Sequence, residues 1–66
     1  MIGMVGMVGN RYWGSEVKEI VKRGKNYLLC RCSNGKYIVF EKKGEWIPIY
    51  LDEYEEVIIK WGAIIH

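Results

Sequence analysis

The chain has one histidine, His66, and one proline, Pro48. A single imidazole at residue 66 leaves no histidine inside the chain to act as a general base, and no Ser, Cys or carboxylate stands beside an evident base partner. The expectation is a protein that is not an enzyme. Cysteine is equally scarce: Cys30 and Cys32 sit one residue apart, where neighbouring strand side chains point the same way but lie too far apart for an unstrained disulfide. Free thiols suit a reducing, cytoplasmic setting. Cys-x-Cys lacks the second cysteine pair of a zinc site, and His66 raises the ligand count only to three, so both thiols are read as buried packing groups with no metal and no cofactor. No hydrophobic run approaches a membrane span, and residues 1–10 carry no basic leader, so no membrane association and no signal peptide are expected.

What the chain does have is apolar and aromatic weight. Half of its 66 residues are hydrophobic, and three Trp, five Tyr and one Phe make it globular rather than disordered. One small domain is implied, burying only about 60% of the surface its unfolded chain exposes. The formal charge of +2 hides an asymmetry: residues 1–43 hold nine Lys or Arg against Glu16, Glu19 and Glu41, whereas residues 44–66 hold Lys60 against Glu45, Asp52, Glu53, Glu55 and Glu56. The pI of 8.6 falls short of the value of about 9 that marks committed nucleic-acid binders.

Residues 1–14 read as an N-terminal Met/Gly-rich arm, opened by Met1-Ile2-Gly3, Met4-Val5-Gly6 and Met7-Val8-Gly9; residues 15–66 read as the single folded domain. From Ser15 the local signals predict a helix, with Ser15 as N-cap, Val17, Ile20 and Val21 on one stripe, and Gly24 as the stop. Asn34-Gly35 and Lys43-Gly44 predict hairpin turns between strands Tyr27–Cys32, Lys36–Lys42 and Trp46–Leu51. In two-residue turns Cys32 pairs with Tyr37, Cys30 with Val39 and Glu41 with Trp46. One face then carries Leu29, Ile38, Phe40, Ile47, Ile49 and Leu51, and the other Leu28, Cys30, Cys32, Tyr37, Val39, Trp46, Pro48 and Tyr50. Asp52 opens a second helix with an Asp-x-x-Glu cap to Glu55 and a stripe of Tyr54, Val57, Ile58 and Trp61 ending at Gly62. The expected fold class is α+β: an α-β-β-β-α domain, a three-stranded antiparallel meander with both helices on one face. The alternative is an all-β SH3-like barrel in which Ser15–Arg23 is a strand.

Gly35-Lys36-Tyr37-Ile38-Val39-Phe40 has the length and hydrophobic ending of the second-strand segment that opens Gly-Ser-His in HicA-type mRNA interferases. Together with the element order, it resembles the double-stranded-RNA-binding-like fold of that family. Tyr37 stands where the family has its catalytic histidine, and Asp52, Glu53, Glu55 and Glu56 stand where RNA-binding domains of this fold place phosphate-gripping lysines. The resemblance implies the fold, and a degenerate, HicA-like toxin relative as one functional expectation.

The aromatic face of Tyr37, Trp46 and Tyr50 suits cover by the Met-x-Gly arm, a protein partner or homodimer, or stacked bases of single-stranded nucleic acid, and the carboxylates Asp52, Glu53, Glu55 and Glu56 suit a basic groove on another protein. The leading expectation is a small non-catalytic phage or mobile-element protein that binds and inhibits a nucleic-acid-processing protein by occlusion, in the manner of an anti-CRISPR. The alternative is a nucleic-acid-binding module using Arg31, Lys36, Lys42 and Lys43.

Overall fold

The structure, a computed structural model, describes residues 7–65. Five strands, β1 (Arg11–Tyr12), β2 (Ser15–Arg23), β3 (Tyr27–Cys32), β4 (Tyr37–Lys43) and β5 (Glu45–Asp52), precede one helix, α1 (Tyr54–Ile64). Each strand pairs antiparallel with the next in chain order, and the sheet curves into a nearly closed barrel. The α-β-β-β-α arrangement is therefore overturned: there is one helix rather than two, and the sheet has five strands rather than three. The eleven-residue α1 also distinguishes the molecule from an all-β barrel.

Ser15–Arg23 is a strand because its apparent helical spacing is made by β-bulges. Its pairing with β3 shifts register between Val17 and Glu19 and again between Ile20 and Lys22. Each extra residue lengthens the interval between inward positions from two to three, so Val17 and Ile20 reach the same interior along an extended chain. Ser15 is not a helix cap; it is buried, and its Oγ accepts a hydrogen bond from Asn34 Nδ2 at 2.9 Å.

The β3–β4 connection corrects the face assignment. Its turn is one residue longer than Asn34-Gly35: Cys32 N–H donates to Lys36 O and Gly35 N–H to Cys32 O, which closes a three-residue loop over residues 33–35. Cys30 consequently pairs with Ile38, Leu29 with Val39 and Arg31 with Tyr37, one residue out of the expected register. A one-residue slip exchanges faces. Leu28, Cys30 and Cys32 thus join Ile38 and Phe40 in the barrel interior with Met7 and Val17, while Leu29 and Val39 lie on the convex face beneath Val57 and Trp61 of α1.

In β5, Phe40 pairs with Pro48 and Val39 with Tyr50, leaving Ile49 as an extra residue. That bulge lets Trp46 and Leu51, at unlike parity, both pack on the interior cluster. Ile47 and Ile49, expected under a helix, are exposed. Asp52 ends β5, Glu53 occupies the N-cap position, and Gly62 lies within α1 rather than after it. The far end of the helix rests on the β2–β3 turn, where a Cβ at Gly24 would stand 3.5 Å from side-chain atoms of both Trp61 and Ile65.

The last Met-x-Gly unit enters the fold. Met7 is buried, and backbone hydrogen bonds from Gly9 N–H to Val17 O and from Val17 N–H to Asn10 O tie this segment to β2. Residues 1–6 and His66 lie outside the described residues. No described helix is long and apolar enough to cross a membrane.

Phe40, fully buried and edge-on to Tyr12 at 4.9 Å, is the largest side chain completely enclosed by the protein. Phe40→Ala is expected to cost about 3–5 kcal/mol in urea unfolding. Ile59→Ala, at a helix position 69% exposed, is expected to stay within about 0.5 kcal/mol of wild type.

Candidate binding end of the barrel

Three segments meet at one end of the barrel. The first is the two-residue turn Trp13-Gly14 between paired Tyr12 and Ser15, whose φ angles of 53° and 81° match a type I′ turn. Asn usually fills the first of these positions. A tryptophan in left-handed backbone is strained by about 1–3 kcal/mol, yet here its side chain is 59% exposed and recovers little by burial. The Asn34–Ser15 hydrogen bond and one from Ser33 N–H to Glu16 O seat the second segment, the β3–β4 turn, directly against the first.

The third segment is the start of α1. A shallow depression of about 510 Å³ between it and the β3–β4 turn is lined by Asn34, Gly35, Lys36, Glu53, Tyr54 and Glu55. Tyr54, half exposed, stands edge-on to Tyr37 at 4.9 Å and is steadied by it. Asp52 Oδ1 accepts the Glu53 N–H at 2.7 Å, and Glu55 and Glu56 occupy the first turn, where the positive end of the helix dipole favours carboxylates. Tyr50 donates a long hydrogen bond of 3.4 Å to Asp52 Oδ2. Desolvation, then the charge and hydrogen bond of Asp52, then the charge of Glu56, raise its hydroxyl pKa above the ordinary tyrosine value. Lys60 Nζ sits 5.0 Å from the Tyr50 ring centre, beside a groove lined by Tyr50, Glu56, Ile59, Lys60 and Ala63.

Of the expected partner-binding residues, Tyr37, Tyr50, Asp52, Glu53, Glu55 and Glu56 are gathered around this end and its flank. Trp46 is not among them: it packs inward near the β4–β5 turn with Lys42 Nζ 5.7 Å from its ring centre. The four basic candidates are likewise divided. Lys36 lies at the depression, and Arg31 is engaged by Glu19 at 2.7 Å. Lys42 and Lys43 stand at the far end of β4, about 20 Å along the strand from Tyr37, with Lys43 Nζ 3.9 Å from Glu41. Trp13 is the residue that sequence reasoning missed. Its signal was Gly14 directly after it, between Tyr12 and Ser15, but turn chemistry looks for Asn or Asp before such a glycine.

Both cysteines are free and fully buried. Burial, followed by the neighbouring Cys32 charge and offset in part by Arg23, pushes the Cys30 thiol up to about 12; burial raises Cys32 in the same direction. Among the described residues no group of three or more His, Cys, Asp or Glu side chains is placed to hold a metal ion. Comparison with known proteins gives no match, whether to a family model, a curated protein or a solved structure.

Trp13→Asn is expected to raise stability by about 1 kcal/mol in urea unfolding, because Asn tolerates the left-handed turn that strains Trp. For Cys30, the folded state keeps a proton that the unfolded chain releases above the ordinary value of 9.0. Its contribution to stability is therefore complete below pH 9.0 and lost as pH climbs toward about 12. Urea midpoints measured over that interval should fall more steeply for wild type than for Cys30→Val.

Proposed function

We propose that this protein is a small non-catalytic binding protein whose aromatic and acidic end docks on a basic surface of another protein and occludes it. The observation that carries this reading is exposed Tyr54, at 50%, beside the carboxylates Glu53 and Glu55, with Trp13, at 59%, exposed on the β1–β2 turn that Ser15 and Asn34 tie to the same depression. Rigid Trp and Tyr side chains supply contact area at small entropic cost and are the residues most often found as interface anchors. Carboxylates flanking them favour a partner rich in Lys and Arg and speed its encounter. A nucleic-acid-processing enzyme presents such a surface in the groove that holds phosphates, and an acidic end seated there occludes it. Phage and mobile-element proteins directed against host nucleases, anti-CRISPRs included, are the functional class this describes.

The division of the basic side chains weighs against direct nucleic-acid binding as the first choice. Arg31 is already paired with Glu19, and Lys42 and Lys43 lie at the end opposite Lys36.

The test is capture of partners by tagged wild-type protein from host lysate, with and without nuclease treatment, followed by binding measurements with the purified partner. A protein retained after nuclease, bound at least about tenfold more weakly by Trp13→Ala and by Glu53→Lys/Glu55→Lys but unchanged by Lys42→Glu/Lys43→Glu, is the expected result. Loss of binding in the Lys42→Glu/Lys43→Glu variant, with affinity falling steeply as salt rises, identifies nucleic acid as the ligand instead. A complex only between copies of this chain makes the same surface a homodimer interface.

A further inference from the structure

Two sulfur atoms touch in the barrel interior, and a third belongs to the same buried cluster. Cys30 Sγ lies 3.8 Å from Met7 Sδ, and Cys32, two residues along β3, belongs to the same buried cluster as both. None of the three is appreciably open to solvent: Cys30 and Cys32 are at 0% and Met7 at 3% exposure. Around them stand Val17, Leu28, Ile38 and Phe40, which offer no oxygen or nitrogen side-chain donor. We infer that Met7, Cys30 and Cys32 form a binding site for one soft monovalent d¹⁰ cation, with Cu(I) as the physiological candidate.

The chemistry of the donor set selects the ion. Thiolate and thioether sulfur favour Cu(I), whereas Zn²⁺ in structural sites takes four ligands, and Mg²⁺ and Ca²⁺ require oxygen. Geometry agrees. A three-coordinate ion with metal–sulfur bonds of about 2.3 Å holds its sulfurs about 4 Å apart, close to the Cys30–Met7 separation of 3.8 Å. The two cysteine Cα atoms, about 6.6 Å apart along a strand, sit near the long limit for a disulfide, and one bridging ion spans them. Binding displaces the proton of each thiol to solvent, so the Cu(I) bis-thiolate centre carries a net charge of −1. Arg23 lies close enough to act on the Cys30 charge, and Arg31 on that of Cys32. The ion enters when residues 7–10 lift from β2, which breaks the hydrogen bonds joining Gly9 and Asn10 to Val17. Met7 is thus both a ligand and the closure over the site.

The experiment uses the full chain, reduced and kept free of oxygen, titrated against the Cu(I)–bicinchoninate complex. Far-ultraviolet circular dichroism establishes that each variant is folded. Wild type is expected to strip one Cu(I) per chain from the chelator, gain a thiolate-to-copper charge-transfer band, and melt at a higher temperature because the ion binds the native state. Cys32→Ala should lose the band. Met7→Leu, which keeps volume and apolarity, should keep its fold and bind about tenfold more weakly or less still. The proposal is overturned if wild type takes no copper from the chelator, or if Cys32→Ala or Met7→Leu binds as tightly as wild type. It is equally overturned if copper lowers the melting temperature, since that outcome places the ion on thiols of the unfolded chain.

Discussion

The constraint on which the rest depends is that the two central strands are buried on both faces. Leu28, Leu29 and Cys30 in β3, and Ile38, Val39 and Phe40 in β4, are consecutive residues that are all inaccessible to water. Side chains alternate along a strand, so two separate layers are needed to cover such a pair. Curvature of the sheet provides one, bringing Val17 and Met7 over Leu28, Cys30 and Ile38, and α1 provides the other through Val57 and Trp61 over Leu29 and Val39. Without the helix, Leu29 and Val39 would face water; without the curvature, the alternate residues would. For a chain of 66 residues, placing apolar groups on both sides of two strands is an economical route to a core.

The same requirement locates the candidate binding end. Because α1 must run across β3 and β4, its first turn arrives at the β3–β4 loop, and Asp52, Glu53, Glu55 and Tyr54 are delivered beside Asn34 and Lys36. The β1–β2 turn reaches that loop through Ser15, whose buried hydroxyl gives Asn34 a fixed partner. Side chains from three sequence regions thus form a rim with little dedicated structure of its own. Asn34, Glu53 and Glu55 on this rim are exposed to solvent.

How much of this was legible in the sequence varies by element. The α1 stripe at Val57, Ile58 and Trp61 was readable because i, i+1 and i+4 positions on an uninterrupted helix carry a direct periodic signal. The strands Tyr27–Cys32, Lys36–Lys42 and Trp46–Leu51 were also found to within a residue or two. Pairing between them was not. Alternation shows which residues of one strand share a face, but the relation between strands depends on loop length, and the hydrogen bond from Cys32 N–H to Lys36 O has no one-dimensional trace. The bulges in β2 misled more deeply, since they turned an interval of two into one of three and gave Val17 and Ile20 the look of a helical stripe. At the candidate binding end, the carboxylates and Tyr37 were visible by type. Trp13 was hidden because it breaks the turn rule that would have revealed it.

The open margins of the sheet carry a consequence for how this protein behaves when crowded. Among the described residues the strand order ends at β1 on one side and β5 on the other, so both margins carry backbone groups without a neighbouring strand. β1 is two residues long and offers almost no template. β5 is eight residues long and carries Ile47 and Ile49 exposed, the profile of a strand prone to recruit another copy and seed fibrils. Pro48 sits between these two isoleucines without an N–H to donate, and the bulge at Ile49 disturbs the regular spacing that an incoming strand would have to match. The proline and the bulge therefore act together as a gatekeeper against runaway self-association along the eight-residue edge of β5.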